Sequence, residues 1–307
     1  MKPLMIVTAP VATRSGYGSH SRDLVRSLIE MDRFDIRINS MKWGNCPMNA
    51  LNDRDPNDKV ILDRILTSPN VERQPEVHIQ ISVPNEFTPL AKYNIGITAG
   101  IETTIATPEW VQGMNRMNMN IVPSKFTKET FERTVYEQID ENTQQKAGEL
   151  RVTKPIEVLF EGVDTNIYKR LKEIKSEDLK AEFDKISEKV VFLYTGHWLQ
   201  GNLGNDRKDT GMLIKTFLET FKNYQKPPAL LLKTSGANFS IIDRNDIADK
   251  IASIKDSVKG KLPNIYFLHG DLTDKEMNEM YNHPKIRAHV TFTHGEGFGR
   301  PLLEASL

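Results

Sequence analysis

Two carboxylates eight positions apart, Glu296 and Glu304, flank a glycine-rich turn in the run T-F-T-H-G-E-G-F-G-R-P-L-L-E, from Thr291 to Glu304. Gly295, Gly297 and Gly299 permit a tight turn, and Pro301 suits the first position of a helix. The preceding Ala288 to Thr293 (AHVTFT) has the pattern of a buried strand. A strand, a turn and a helix start present free backbone N–H groups and a partial positive charge, which favour oxygen-rich or anionic ligand groups. Two carboxylates framing such donors can hold a polyhydroxylated ligand, because they accept from its hydroxyls while the N–H groups donate to others. That is sugar-binding chemistry rather than a metal cage. Spacing alone leaves a second reading open, in which Glu304 complements the helix dipole and Glu296 is solvated in a loop.

Other residues add to this chemistry. Arg207 and Lys208 lie in the loop G-H-W-L-Q-G-N-L-G-N-D-R-K-D-T-G, just before a helix expected from about Thr210 to Tyr224. Two cations beside the free N–H groups of a helix start would hold a diphosphate. Lys233 ends the strand Ala229 to Lys233 (ALLLK), where its ammonium faces the phosphates or snorkels to solvent. Near the N-terminus, Gly16 and Gly18 in R-S-G-Y-G-S-H-S follow a strand and open a helix, as a backbone cradle or a plain turn would. Ser21 stands where a dinucleotide fingerprint has its third glycine, and the strand Phe34 to Met41 ends without an acidic residue for a ribose, so a dinucleotide fold is disfavoured. Glu102 follows the strand Tyr93 to Ala99 and is a candidate contact to the sugar or its acceptor. Asp53-Arg54-Asp55 could ligate a metal by type, but Asn52, Pro56 and Asn57 make it a turn.

The elements that would position these groups alternate between β and α. Leu4 to Ala9 (LMIVTA), Val77 to Val83, Met119 to Val122 and Ile156 to Phe160 read as strands, separated by helical stretches. Residues 138–154 are polar and read as a surface insertion. The pattern restarts with Val190 to Thr195 (VVFLYT), and Thr273 with Glu276 forms a capping box ahead of Met277, Met280 and Tyr281, which read as core. With 307 residues, two domains are expected: 1–161, a hinge or linker at 162–189, and 190–307. Lys plus Arg and Asp plus Glu number 41 each, so no overall basic field attracts nucleic acid, and any anion site must be local. The single cysteine, Cys46, excludes an internal disulfide and a multi-cysteine metal site. No stretch approaches the ~18 apolar residues of a membrane span. A cytoplasmic setting is the default expectation, and peripheral attachment to a membrane is compatible with it.

E-G-F-G-x-P-x-L-E at Glu296 to Glu304 resembles the E-x7-E signature of retaining glycosyltransferases of family 4. E-G-V-D-T-N-I-Y, Glu161 to Tyr168, is similar to the hinge of the same family, and the loop carrying Arg207 and Lys208 to its phosphate-binding loop. One departure is His197, where many members place arginine after the strand-end glycine. The resemblance implies a GT-B-like α/β fold, two Rossmann-like open parallel-sheet domains facing a cleft. It implies transfer of a sugar from a nucleotide-diphosphate-sugar to an acceptor hydroxyl with retention, with no metal and no cofactor beyond that donor. Arg207 and Lys208 would neutralise the leaving diphosphate, and Glu304 would hold the donor ribose. Glu296 with the backbone of Gly297, Phe298 and Gly299 would hold the sugar, and Asp271 and Leu272 would lie against the base. The acceptor could be a glycan, a lipid-linked sugar or a protein. An epimerase or phosphorylase of the same fold, or a non-catalytic sugar-nucleotide-binding module, are the alternatives. Because family members continue beyond this helix, the resemblance also implies an incomplete second domain.

Overall fold

The computed structural model describes residues 2–68, 73–100, 103–139, 142–143, 145–199, 203–236 and 238–307. The chain forms two compact units that divide between Gly162 and Val163.

The first unit runs β1 (Leu4–Ala9), α1 (Gly16–Glu30), β2 (Asp35–Ser40), α2 (Pro56–Leu62), β3 (Val77–Ile81), β4 (Tyr93–Ile97), α3 (Pro108–Arg116), β5 (Met119–Val122), α4 (Lys125–Arg133), β6 (Val135–Ile139), β7 (Lys146–Arg151) and β8 (Ile156–Val158). Six strands form one parallel sheet in the order β2-β1-β3-β4-β5-β8. The continuous apolar run of β1 follows from this position, since a strand paired on both sides and covered on both faces has no solvated face. Met5, Val7 and Ala9 pack with Val25 of α1, Ile61 of α2 and Ile79 and Ile81 of β3. A second cluster joins Phe87, Val111, Met114, Phe131 and Ile156. Helix α3 approaches the short turn Pro84–Glu86 so closely that a Cβ on Gly113 would lie 1.8 Å from the Pro84 carbonyl oxygen.

Part of the stretch read as a surface insertion is regular structure: β6 and β7 pair antiparallel as a hairpin with mostly exposed residues. Its strands are polar because they form a separate two-stranded sheet with little face to bury. Asp55 is the N-cap of α2 and accepts from Asn57 N at 2.8 Å, so Asp53-Arg54-Asp55 is the turn its neighbours suggested.

The second unit runs α5 (Glu177–Asp184), β9 (Val191–His197), α6 (Thr210–Phe221), β10 (Ala229–Ser235), α7 (Ile241–Asp256), β11 (Ile265–Leu268), α8 (Asp274–Tyr281), β12 (Ile286–His289) and α9 (Arg300–Ser306). Its four parallel strands lie in the order β11-β10-β9-β12. One core side holds Tyr194, Trp198, Leu213, Ile214, Phe217 and Leu232, and the other holds Leu179, Phe183, Leu193, Leu231 and Met280. Within 162–189, expected as a hinge, α5 contributes Leu179 and Phe183 to this second core. The capping box at Thr273 is formed in full, with Thr273 Oγ1 accepting from Glu276 N and Glu276 Oε2 accepting from Thr273 N. β12 ends at His289, earlier than the strand expected to run to Thr293, because the chain leaves the β9 edge to enter the glycine turn.

Among the described residues, no helix is long and apolar enough to cross a membrane.

Candidate functional site

In an open parallel sheet, ligands bind beyond the strand C-termini where the order reverses. In the second unit that point lies between β9 and β12, since the chain builds outward from β9 to β11 and then returns to β9's other edge. Arg207 and Lys208 sit on the loop leaving β9, and Glu296 on the turn leaving β12. The topology therefore brings together groups that are 88 positions apart in sequence.

The two loops are stitched by backbone and side chains alike. His294 N donates to Arg207 O at 2.8 Å, and Thr293 Oγ1 donates to the same oxygen at 3.3 Å. Arg207 Nη1 donates to Gly295 O at 2.6 Å and to Glu296 Oε2 at 3.4 Å. Lys208 Nζ donates to Glu296 Oε1. Burial disfavours both charges of this pair. For Glu296 the Lys208 hydrogen bond and the charges of Lys208 and Arg207 outweigh burial and hold the carboxyl below its usual range. For Lys208 burial prevails and keeps the ammonium below its ordinary value.

Asp209, the N-cap of α6, has φ 47°, a left-handed conformation that Asp, Asn and Gly adopt at least cost. Its carboxylate meets His294 Nε2 at 3.3 Å. Gly299 plays the matching part at α9, with φ 79° at the N-cap, which places Arg300 and Pro301 in the first helical turn. Neither N-cap residue caps its helix with its own side chain, and at α6 the buried Asp206 carboxylate accepts from Thr210 N at 3.4 Å instead.

Glu304 is buried, at 7% exposure. It accepts from Arg300 Nε at 2.8 Å and from Tyr281 Oη at 3.3 Å. Burial pushes its carboxyl above the usual range, with Arg300 the chief offset. Sequence reasoning passed over Arg300, although its i, i+4 spacing to Glu304 on one helix face was a readable signal. Tyr281 and Asp209 had none, since their roles depend on a tertiary neighbour and a backbone angle.

The remaining predicted residues are placed as follows. Lys233 is buried, donates to Gly270 O at 2.6 Å and lies 5.4 Å from the centre of the Phe239 ring. Leu272 packs against the cluster around Leu179 and Met280, as core. Gly297 and Phe298 are partly exposed in the turn. His197 Nδ1 pairs with Ser235 Oγ at 3.2 Å. Gly16 and Gly18 belong to the first unit. Gly18 N donates to the N-cap Ser15 Oγ, and a Cβ there would lie 2.3 Å from Thr13 O, so close packing explains this glycine. A Cβ on Gly16 would meet nothing within 4 Å. The adjacent Tyr17 ring stacks on Trp43 with centroids 4.1 Å apart. Glu102 lies outside the described residues.

The two-sheet architecture is similar to that of structures solved with sugar nucleotides. A trehalose-6-phosphate structure from E. coli bound with UDP-2-fluoro glucose superposes with TM-score 0.56 at 10% identity, over 98% of this chain and 81% of that one. HepE from Anabaena in complex with UDP-glucose gives TM-score 0.55 at 12% identity, over 99% and 78%. A trehalose-6-phosphate synthase, studied for glycosyl transfer with retention, gives 0.50 at 11% identity, over 98% and 81%. The fold is that of the GT-B glycosyltransferases. No protein-family model matches the chain, and no curated protein matches it in sequence. At these identities the GT-B likeness concerns architecture alone.

Proposed function

We propose that this GT-B chain is a retaining glycosyltransferase of the family 4 type, moving a sugar from a nucleotide-diphosphate-sugar to an acceptor hydroxyl. The observation that carries the proposal is the convergence of Arg207, Lys208 and Glu296 at the start of α6, on the switch point of the second sheet. The E-x7-E spacing from Glu296 to Glu304 supports the family type.

The difficult step is departure of the diphosphate, and positive charge at that group stabilises the transition state. Arg207 and Lys208, beside the positive end of the α6 dipole, supply it, so the reaction calls for no metal ion. Glu296 and the turn backbone at Gly297, Phe298 and Gly299 hold sugar hydroxyls, and Glu304 on α9 holds the ribose. The bond from the anomeric carbon to the phosphate oxygen breaks, and the acceptor oxygen forms its bond on the same face. The departing phosphate oxygen takes the acceptor's proton. UDP-glucose, bound by a protein of the same fold, is the first donor to try.

A thermal-shift screen against nucleotide sugars identifies the donor, because binding raises apparent stability with ligand excess. Proton NMR of the chain with that donor and a panel of hydroxylated acceptors then reads the product. A new linkage with the donor's own anomeric configuration is the expected result. A donor that binds but is neither transferred nor hydrolysed would leave a binding module instead.

A further inference from the structure

Both cations assigned to the donor's diphosphate are engaged by a carboxylate of the same chain. Lys208 donates to Glu296 Oε1, and Arg207 reaches Oε2 at 3.4 Å. The Lys208 and Glu296 side chains are only 14% and 16% exposed, so the pair is largely withdrawn from water and either charge is costly to strand. An anion that takes Lys208 must displace Glu296, and the displaced carboxylate then faces the newcomer's negative charge. Hydroxyl groups within reach of Glu296 offset that cost by donating to it in place of the ammonium. A bare diphosphate has none to offer.

We infer that Glu296 is a selectivity residue, which makes the second unit prefer a sugar-bearing nucleotide to the bare nucleoside diphosphate and expels that diphosphate after the sugar has gone. This rests on the proposed function and extends it to product release. With donor bound, Lys208 serves the phosphates and Glu296 the sugar. Once the sugar has passed to the acceptor, Glu296 has lost its donors and returns to Lys208, and the diphosphate loses a cation. The turn is already fixed for this return by His294 N on Arg207 O at 2.8 Å and by His294 Nε2 on Asp209 at 3.3 Å, so only side chains need move. Discrimination arises as much from repulsion of the wrong ligand as from attraction of the right one.

The test is calorimetric titration of the full chain and of Glu296→Gln and Glu296→Ala with pyrophosphate, UDP and UDP-glucose. Both variants should bind pyrophosphate and UDP roughly tenfold tighter than the parent, as removal of a facing like charge implies, while UDP-glucose gains nothing. Stopped-flow release of UDP should slow in proportion. Should a variant fail to unfold cooperatively, Glu296→Asp replaces it, with a smaller shift in the same direction. If UDP-glucose binds the parent chain and the variants hold UDP and pyrophosphate no tighter, the selectivity role is overturned and the proposed function stands. If the parent binds neither nucleotide and pyrophosphate affinity is unchanged in the variants, both are overturned.

Discussion

Arg300 Nε donates to Glu304 Oε1 at 2.8 Å across one turn of α9, with both side chains nearly closed off from solvent. A helix of seven residues is too short to be stable by itself, and this pair, with Tyr281 on the other carboxylate oxygen, ties it to α8.

Removing Arg300 strands a buried carboxylate. Arg300→Ala should lower stability by about 3 kcal/mol at pH 7, measured as a drop in urea midpoint. Burial already raises the Glu304 pKa, and the variant raises it further. The deficit should therefore shrink as pH falls and the carboxyl takes a proton.

Donor binding should separate the candidate residues. Glu304→Ala, Arg207→Ala and Lys208→Ala are each expected to weaken UDP-glucose binding by roughly 10- to 100-fold, as loss of a charge-assisted contact does. Asp53→Ala, in the turn ahead of α2, should leave the titration unchanged. Equal affinity in all four variants would remove the three from the donor site.

Two histidines predict acid lability. Burial lowers both His78 and His289 to about 4 from an ordinary value near 6.5. In the unfolded chain they bind protons below pH 6.5, whereas the folded chain resists until about pH 4. Stability is thus full above 6.5 and falls through that window, by ~1.4 kcal/mol per pH unit for each fully titrating site. His289→Phe should flatten the dependence of the second unit, read from urea midpoints between pH 7 and 4.5.

Neighbouring glycines should behave differently. Gly18→Ala sets a Cβ 2.3 Å from the Thr13 carbonyl oxygen, a backbone atom that cannot swing away. A loss of about 1–3 kcal/mol is expected. Gly16→Ala meets open space and should be near neutral by the same measurement, which checks that the loop's tightness resides in one residue.

The β-α alternation and the buried strands were legible because hydrophobic runs such as Leu4 to Ala9 reflect burial on both faces of a parallel sheet. Glu296, Glu304, Arg207 and Lys208 could be named from residue type beside glycine turns. Their pairing could not, since it follows from β12 returning to the free edge of β9, a choice of strand order that no local pattern encodes. Lys233 illustrates the limit: type and position suggested a phosphate contact or a solvated tip, and no local pattern announced that its ammonium would reach Gly270 O. The β6–β7 hairpin was hidden for a different reason, as strands with exposed polar faces lack the alternation that marks a half-buried sheet.

Trp198, packed at 4% exposure on the strand end that leads to Arg207, has the Lys250 ammonium 5.3 Å from its ring centre. The other two tryptophans, Trp43 and Trp110, are both in the first unit. With Trp43 and Trp110 replaced by Phe, the emission of this single indole would report on the diphosphate loop alone. The chain thus carries its own fluorophore for following occupancy of one unit in real time, without a label.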